Sequence, residues 1–180
     1  SSSYCLNTDP VLLTGIPAGG TFSGPGITGN SFNPALAGAG SGFTITYTYI
    51  DLETGCTGSS SQNVSVTALP VVSFTGLATD YCVTSSAVSL TGFPSGGTFS
   101  GPGMSGNVFD PALAGAGGPY TISYSYLDIP TGCSNTYNQQ VSVSVIPSAT
   151  INASPVAICT GNNSNLSINF TGIGPWTYSI

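Results

Sequence analysis

The cysteines of this chain recur at a fixed spacing of 77 residues, which constrains its fold more than any single motif. They hold two positions of the repeat: Cys5, Cys82 and Cys159 occupy the first, and Cys56 and Cys133 the second. The repeat needs no gap, since residues 19–26 and 96–103 both read GGTFSGPG. A chain that repeats in this way builds length, or many copies of one surface, rather than one active site.

The repeat predicts three modules. The first repeat covers residues 1–69 and the second repeat residues 70–146. Residues 147–180 form an incomplete third module of a different subtype, because the GGTFSGPG turn is missing there. The linkers at Pro70 and Pro147 are short and carry proline, which restricts bending. We therefore expect a semi-rigid linear array, and a chain that is a piece of a longer protein.

Alternating side chains predict β structure throughout the chain. Aromatic or aliphatic residues alternate with Ser, Thr or Asn, a period of two that buries one face of a strand. The segments with this alternation are residues 43–49, 64–67, 120–126, 141–145, 166–170 and 176–180. No apolar pattern of helical period is present, and the density of Gly and Pro opposes a helix.

Roughly seven short strands per repeat, separated by Gly and Pro turns, are typical of an immunoglobulin-like β-sandwich. We therefore predict an all-β fold of tandem immunoglobulin-like β-sandwich modules in a linear array. No helix should be longer than about two turns. The buried Trp and the tyrosine corner of antibody domains are missing, so the sequence leaves the detailed topology open.

The absence of basic residues excludes whole classes of function. The 180 residues contain no Lys, Arg or His, and six Asp and Glu residues supply all the side-chain charge. Without cations the chain cannot neutralise phosphates, which excludes nucleic acid and anionic lipid as partners. A Ser-His-Asp triad, a Lys Schiff base and a His-ligated metal are impossible for the same reason. We predict no catalytic residue, no cofactor, no metal site and no enzymatic activity.

Residues 24–29 match the dinucleotide-binding pattern GxGxxG, but we reject that function. A dinucleotide site needs a helix that begins at the glycine loop, whereas Pro34 and Gly38 follow here. Pro25 followed by Gly26 predicts instead a type II β-turn with a positive φ at Gly26.

Asp51 and Asp128 are the acidic residues that recur at equivalent positions. Calcium needs several carboxylates within a few residues, and the neighbouring Glu53 is replaced by Pro130 in the second repeat. Turn capping by the two aspartates is therefore favoured over metal binding.

Cysteines that recur at module spacing, without a CxxC pair or His, indicate disulfides in an oxidising compartment. Pairing within modules joins Cys5 to Cys56 and Cys82 to Cys133, and leaves Cys159 unpaired in this chain. Pairing across modules joins Cys56 to Cys82 and Cys133 to Cys159, and leaves Cys5 unpaired. We favour pairing within modules, because such a module can fold before its neighbour exists. Closing a loop of that size stabilises by roughly 4 kcal/mol.

The sequence opens without a signal peptide and contains no apolar run of about 18 residues that could span a membrane. We expect a mature, soluble and exported chain at the cell surface or in the extracellular space, with its targeting signals elsewhere.

The order of motifs in each repeat resembles repeats of very large cell-surface proteins of Bacteroidota. The shared motifs are GGTFSGPG, FxPALAGxG, the alternating IxYxY segment and TGC. Many of these proteins look like gliding-motility adhesins or other surface proteins of the type IX secretion pathway. The resemblance implies export by that pathway and a stalk or adhesive filament. It carries over no catalytic or ligand residue.

We therefore expect a structural stalk or filament segment of a secreted, repetitive cell-surface adhesin. Its partners would be neighbouring modules of the same chain, together with surface glycans or other surface proteins. The alternative is a carbohydrate-binding β-sandwich module of a secreted surface protein or enzyme. An exposed aromatic platform on one sheet would favour that alternative. Most Tyr residues here, however, stand at positions that the strand alternation assigns to the buried face.

Overall fold

A computed structural model gives the fold and describes residues 2–154, 157, 159–161, 163–172 and 177. The chain forms two compact units. Unit 1 comprises Ser1–Val72 and Ser125–Thr136, and unit 2 comprises Ser73–Tyr124 and Tyr137–Ile180. The predicted modules 1–69, 70–146 and 147–180 stay a prediction, because a compact unit is not the same thing as a sequence repeat.

Short strands dominate the described residues, so the predicted all-β class is confirmed. The first part of the chain contains β1 (Ser2–Cys5), β2 (Val11–Leu12), β3 (Thr21–Ser23), β4 (Ile27–Thr28), β5 (Ser31–Phe32), α1 (Pro34–Ala37), β6 (Gly40–Ile50) and β7 (Thr57–Thr67). The second part contains β8 (Ser73–Thr75), β9 (Asp80–Cys82), β10 (Val88–Ser89), β11 (Thr91–Phe93), β12 (Thr98–Ser100), β13 (Met104–Ser105), β14 (Val108–Phe109), α2 (Pro111–Ala114), β15 (Gly117–Asp128) and β16 (Cys133–Ser144). The last two strands are β17 (Ser148–Ser154) and β18 (Asn165–Thr171).

The first seven strands form two sheets. One has four strands in the order β1-β7-β6-β3, and the other has three in the order β2-β5-β4. Strand β1 runs parallel to β7, whereas the other pairs are antiparallel. The parallel pair places β1 beside β7, which is the strand of this sheet that comes last in the chain. The alternation of side chains does not predict this pairing.

Strands β8–β16 repeat this order 77 residues later and add one pair. The four-stranded sheet has the order β12-β15-β16-β9, again with a parallel pair between β9 and β16, and the three-stranded sheet has the order β10-β14-β13. In addition, β8 pairs antiparallel with β11. This β8–β11 pair has no counterpart among the described strands of the first repeat.

The turn predicted at the glycine motif is confirmed. The Ile27 amide donates a hydrogen bond of 3.3 Å to the Gly24 carbonyl oxygen, which closes the turn. Gly26 has φ +73°, the left-handed region that a type II turn requires at this position. Strand β4 begins at once, so no helix opens on this loop and the dinucleotide-binding interpretation is excluded.

One core in unit 1 collects side chains from both sheets. Its buried members are Phe32 from β5, Ile45 from β6, and Val64 and Val66 from β7. Partly buried residues pack against them: Tyr4, Leu6, Leu13, Phe22, Ile27, Ala37 and Phe43. The two sheets therefore face each other in a sandwich-like arrangement, with the alternating residues of the sequence pattern between them.

The predicted strands and the described strands agree closely. The alternating segments 43–49, 64–67, 120–126 and 166–170 lie within β6, β7, β15 and β18, and residues 141–144 lie within β16. Val145 follows the end of β16, and the segment predicted at residues 176–180 lies outside the described residues. Helices α1 and α2 have four residues each. The described chain therefore confirms the prediction of no helix longer than two turns.

Replacing Phe32 by Ala should lower the free energy of unfolding of unit 1 by about 3–5 kcal/mol, because the ring fills the core between the sheets. Phe32 is 1% exposed, whereas Leu36 in α1 is 67% exposed. Leu36→Ala is therefore the matched control, with an expected change within about 0.5 kcal/mol. Urea unfolding followed by tyrosine fluorescence measures both. Equal effects of the two variants would contradict this assignment of the core.

Candidate functional site: a disulfide-bonded hairpin tip

The structure joins Cys5 to Cys133, with Cα atoms 5.5 Å apart. The predicted pairs Cys5–Cys56 and Cys82–Cys133 are therefore wrong. The alternative scheme, Cys56–Cys82 with Cys133–Cys159, is wrong as well, because Cys56, Cys82 and Cys159 are free thiols. Both bonded residues belong to unit 1. The bond connects a first cysteine position to the second cysteine position of the following repeat.

The register of the parallel pair explains why Cys5 cannot reach Cys56. Cys5 lies opposite Thr67, the last residue of β7, whereas Cys56 immediately precedes the first residue of that strand. Eleven steps along a strand cover about 36 Å, and a disulfide tolerates a Cα separation of roughly 7 Å at most. Cys82 and Cys133 are placed in the same way, since Cys82 lies opposite Ser144 at the end of β16 and Cys133 begins that strand.

A short strand and turn hold Cys5. The Tyr4 ring beside it packs on Phe32 with the ring centroids 5.4 Å apart, which anchors β1 to the core. The Thr8 amide donates to the Cys5 carbonyl oxygen at 2.9 Å, and the Cys5 amide donates to Thr8 Oγ1 at 3.1 Å. These two bonds fix the chain direction on both sides of the sulfur.

A capped turn at the tip of the β15–β16 hairpin presents Cys133. The Gly132 amide donates to the Asp128 carbonyl oxygen at 2.7 Å, and Thr131 Oγ1 donates to Asp128 Oδ2 at 2.5 Å. The Cys133 amide in turn donates to Thr131 Oγ1 at 3.3 Å. Cys133 is 1% exposed, so this sulfur is shielded from reductants in solution.

Two asparagines on either side of the disulfide tie the hairpin tip, residues 125–136, to the rest of unit 1. Asn7 Nδ2 donates to the Ser134 carbonyl oxygen at 3.3 Å. Asn135 Nδ2 donates to the Pro70 carbonyl oxygen at 3.0 Å. Neither asparagine stands out in the sequence, because both bonds depend on which strand end faces the tip. The disulfide and these two side-chain hydrogen bonds thus act together to hold the tip.

The free cysteines stand in the same two local structures as the bonded ones. The Cys82 amide donates to Ser85 Oγ at 3.1 Å, as the Cys5 amide does to Thr8. The Cys56 amide donates to Thr54 Oγ1 at 3.3 Å, as the Cys133 amide does to Thr131. Each repeat therefore carries one cysteine of the strand-and-turn type and one of the hairpin-tip type.

Asp51 caps the hairpin tip of the first repeat, which confirms the predicted turn capping. Asp51 Oδ1 accepts hydrogen bonds from the Thr54 amide at 3.0 Å and the Glu53 amide at 2.9 Å. These donors, that of Thr54 foremost, hold the pKa of the Asp51 carboxyl below its usual value. Within the described residues, no three His, Cys, Asp or Glu side chains gather around a common point.

A neighbouring hydroxyl activates the Cys82 thiol. Its Sγ lies 3.2 Å from Thr84 Oγ1. This side-chain hydrogen bond, with smaller contributions from the Thr84 and Val83 backbone, lowers the pKa of Cys82. A larger thiolate fraction speeds disulfide formation and exchange.

The aromatic platform that would favour carbohydrate binding is not formed by the described residues. Among them, Phe93 and Tyr137 are the aromatic side chains exposed beyond about two fifths. Tyr137 stands edge-on to Phe74 with the ring centroids 5.6 Å apart, so its ring packs against a buried aromatic side chain.

The scan against protein-family models and the search of curated proteins both found no match to this chain. Within the described residues, no helix has the length and apolar character that crossing a membrane requires.

We expect Cys82 to be alkylated by iodoacetamide with a half-maximal rate at a pH below that of an unperturbed cysteine, because Thr84 stabilises its thiolate. Thr84→Val keeps the shape and removes the hydroxyl, so the profile should move to higher pH. Mass spectrometry of the Cys82 peptide across a pH series measures both profiles. An identical profile in the variant would show that Thr84 does not activate this sulfur.

Proposed function

We propose that this chain is a structural segment of the stalk or filament of a secreted, repetitive cell-surface adhesin. Its modules would be immunoglobulin-like β-sandwiches, its place would be outside the cell, and it would catalyse no reaction. The observation that carries the proposal is the Cys5–Cys133 bond, which links β1 of the first repeat to the hairpin tip of the second. A bond between repeats strengthens an array, whereas it contributes nothing to a single binding site.

The strand count supports the immunoglobulin-like architecture. Seven strands in a four-stranded and a three-stranded sheet match the number in a constant-type immunoglobulin domain. The shared core of unit 1 and the alternation along β6 and β7 fit that architecture as well. We therefore propose the tandem immunoglobulin-like arrangement as the building plan of the stalk.

The disulfide alters how the chain would carry tension. The covalent path from Ser1 to Ile180 can cross from Cys5 to Cys133 through the sulfurs, a sequence separation of 128 residues. Residues 6–132 are therefore bypassed when the two ends are pulled. A stalk under load keeps the bypassed core folded, because the sulfur–sulfur bond and not the hydrogen-bonded sheets limits extension.

Two of the three free thiols extend this pattern to an array. Cys82 is the counterpart of Cys5 and Cys56 is the counterpart of Cys133. If every repeat followed the pairing seen here, Cys82 would bond the hairpin-tip cysteine of a following repeat. Cys56 would bond the strand-and-turn cysteine of a preceding repeat. Each repeat of the proposed stalk would then be bonded to both of its neighbours.

The surface chemistry fits an extracellular fibre. Hydroxyl and amide side chains pair across the exposed face of β6 and β7, with Thr46 Oγ1 2.9 Å from Ser61 Oγ and Thr44 Oγ1 donating to Asn63 Oδ1 at 2.9 Å. With no Lys or Arg, this face offers nothing to trypsin-like proteases and responds little to salt. The disulfide indicates an oxidising environment, which supports the proposed location.

Single-molecule pulling from the two chain ends tests the load-bearing role. We expect the fully extended oxidised chain to be shorter than the reduced chain by roughly 430 Å, the contour length of the bypassed residues. Reduction by dithiothreitol during the experiment should add this length in one step.

Cys5→Ser is the control, because it removes the bond and should give the long extension with or without reductant. Cys56→Ser should behave like the unaltered chain, since Cys56 is free. Equal lengths of the oxidised and reduced chains would contradict the proposed bypass and with it the stalk mechanism.

A further inference from the structure

Both repeats carry the same small pocket beside a glycine-rich loop. In unit 2 the pocket has a volume of about 450 Å³ and is lined by the loop 95–97, the turn at residues 106–107 and the Phe99 ring. In unit 1 a pocket of about 290 Å³ is lined by the counterparts of these residues, among them Phe22 and Asn30. We call these two the loop pockets. Volumes of roughly 300–1,000 Å³ are typical of sites for small molecules.

The loop pockets stay open where their surroundings are complete. Strand β8 pairs with β11 in unit 2, yet no residue of β8 lines the pocket there. The hairpin tip, residues 125–136, belongs to unit 1, yet no tip residue lines the pocket of unit 1. Neither the strand that precedes a repeat nor the tip of the repeat that follows it therefore fills the pocket.

A tyrosine holds each glycine-rich loop in place. The Tyr124 hydroxyl donates to the Pro94 carbonyl oxygen at 2.5 Å and accepts a hydrogen bond of 2.8 Å from the Gly97 amide. The Tyr47 hydroxyl bridges its own loop, residues 17–20, in the same way. Each loop is therefore fixed before a ligand arrives, which lowers the conformational entropy that binding would cost.

Uncharged polar groups surround the mouth of the pocket in unit 2. The hydroxyl groups of Thr91, Ser95 and Thr98 make no hydrogen bond within the described residues. Asn107 Nδ2 donates to the Leu90 carbonyl oxygen at 3.3 Å, which orients the amide and leaves its Oδ1 without a partner among the described residues. The rim thus offers several donors and acceptors to a ligand.

The floor of the same pocket is apolar. Leu90 is buried, and the partly buried Phe99 ring packs on the Tyr124 ring with the centroids 4.5 Å apart. A Cβ at Gly96 or at Gly106 would meet no other atom within 4 Å, so the mouth is open on the loop side and on the turn side. The pocket therefore combines an apolar floor with an open, polar rim.

The charge of the lining residues narrows the class of ligand. No charged side chain is among the residues that line either pocket in the described chain. An ionic ligand would lose hydration there without gaining a counter-charge, so the ligand is neutral. A pyranose ring matches such a site, because its C–H groups form apolar faces and its hydroxyl groups point outward along the edge. The faces suit the floor, and the hydroxyl groups suit the rim.

We propose that each loop pocket binds one ring of a neutral oligosaccharide or polysaccharide. In unit 2 a face of the sugar packs on Phe99, while Asn107 Oδ1 and the Ser95 hydroxyl bond to two sugar hydroxyl groups. Unit 1 has Ala18 in place of Ser95, so its pocket binds the same sugar more weakly. Because the Phe99 ring is recessed, recognition uses a pocket and needs no exposed aromatic platform. This inference adds a ligand to the proposed stalk and does not rest on it.

Titration of sugars into the whole ¹⁵N-labelled chain tests the proposal. The neutral probes are cellohexaose, laminarihexaose, mannohexaose and maltohexaose, and the charged probe is hexagalacturonate. At least one neutral probe should give saturable amide shifts at residues 95–97 and at the Asn107 side chain. The same probe should shift residues 18–20 with lower affinity. Hexagalacturonate should give no shifts, because it carries a carboxylate on every ring.

The difference between the two repeats supplies a reciprocal pair of variants. Ser95→Ala should weaken binding in unit 2 roughly fivefold, the effect of one lost hydrogen bond, and Ala18→Ser should strengthen binding in unit 1 by a similar factor. Both positions are exposed, so neither change should alter the melting temperature. Asn107→Ala should also weaken binding in unit 2. Asn138→Ala is its matched control, because Asn138 is exposed on β16 outside the pocket.

An absence of saturable shifts with every neutral probe at millimolar concentration would overturn the proposal. Saturable shifts outside the loop pockets would overturn it too, as would an affinity that Ser95→Ala and Asn107→Ala both leave unchanged. Equal binding of hexagalacturonate would contradict the selection of a neutral ligand by the uncharged rim. None of these outcomes alters the extended lengths expected for the oxidised and reduced chains, so sugar binding and the stalk mechanism fail separately.

Discussion

The parallel pairing of β1 with β7 determines which cysteines can meet. Because Cys5 ends β1 opposite the last residue of β7, it stands a whole strand length away from the hairpin tip of its own repeat. Its partner is instead Cys133, at the hairpin tip of the next repeat. The anchoring of Tyr4 against Phe32 holds β1 in this register. Because of this strand pairing, the disulfide of Cys5 joins two repeats, although it was expected to lie within one repeat.

Local sequence patterns predicted the local structure and failed for pairings distant in sequence. The alternation of side chains predicted β6, β7, β15 and β18, and the Pro25-Gly26 pair predicted the turn. Both predictions succeeded because the side-chain period and the backbone φ are properties of a few consecutive residues. The disulfide was missed because the spacing of cysteines does not reveal which strand ends meet. Helix α1 was missed as well, although Asn33 before Pro34 is a recognisable cap, since four residues carry no helical period.

Peptide mapping under non-reducing conditions identifies the cysteine that is bonded to Cys5. The free thiols are first blocked by alkylation, and cleavage after Asp, Glu and aromatic residues then places each of the five cysteines on its own peptide. Mass spectrometry under non-reducing conditions should recover the Cys5 peptide linked to the Cys133 peptide, with Cys56 and Cys82 alkylated. Recovery of the Cys5 peptide linked to the Cys56 peptide would contradict the parallel register of β1 and the bond between repeats.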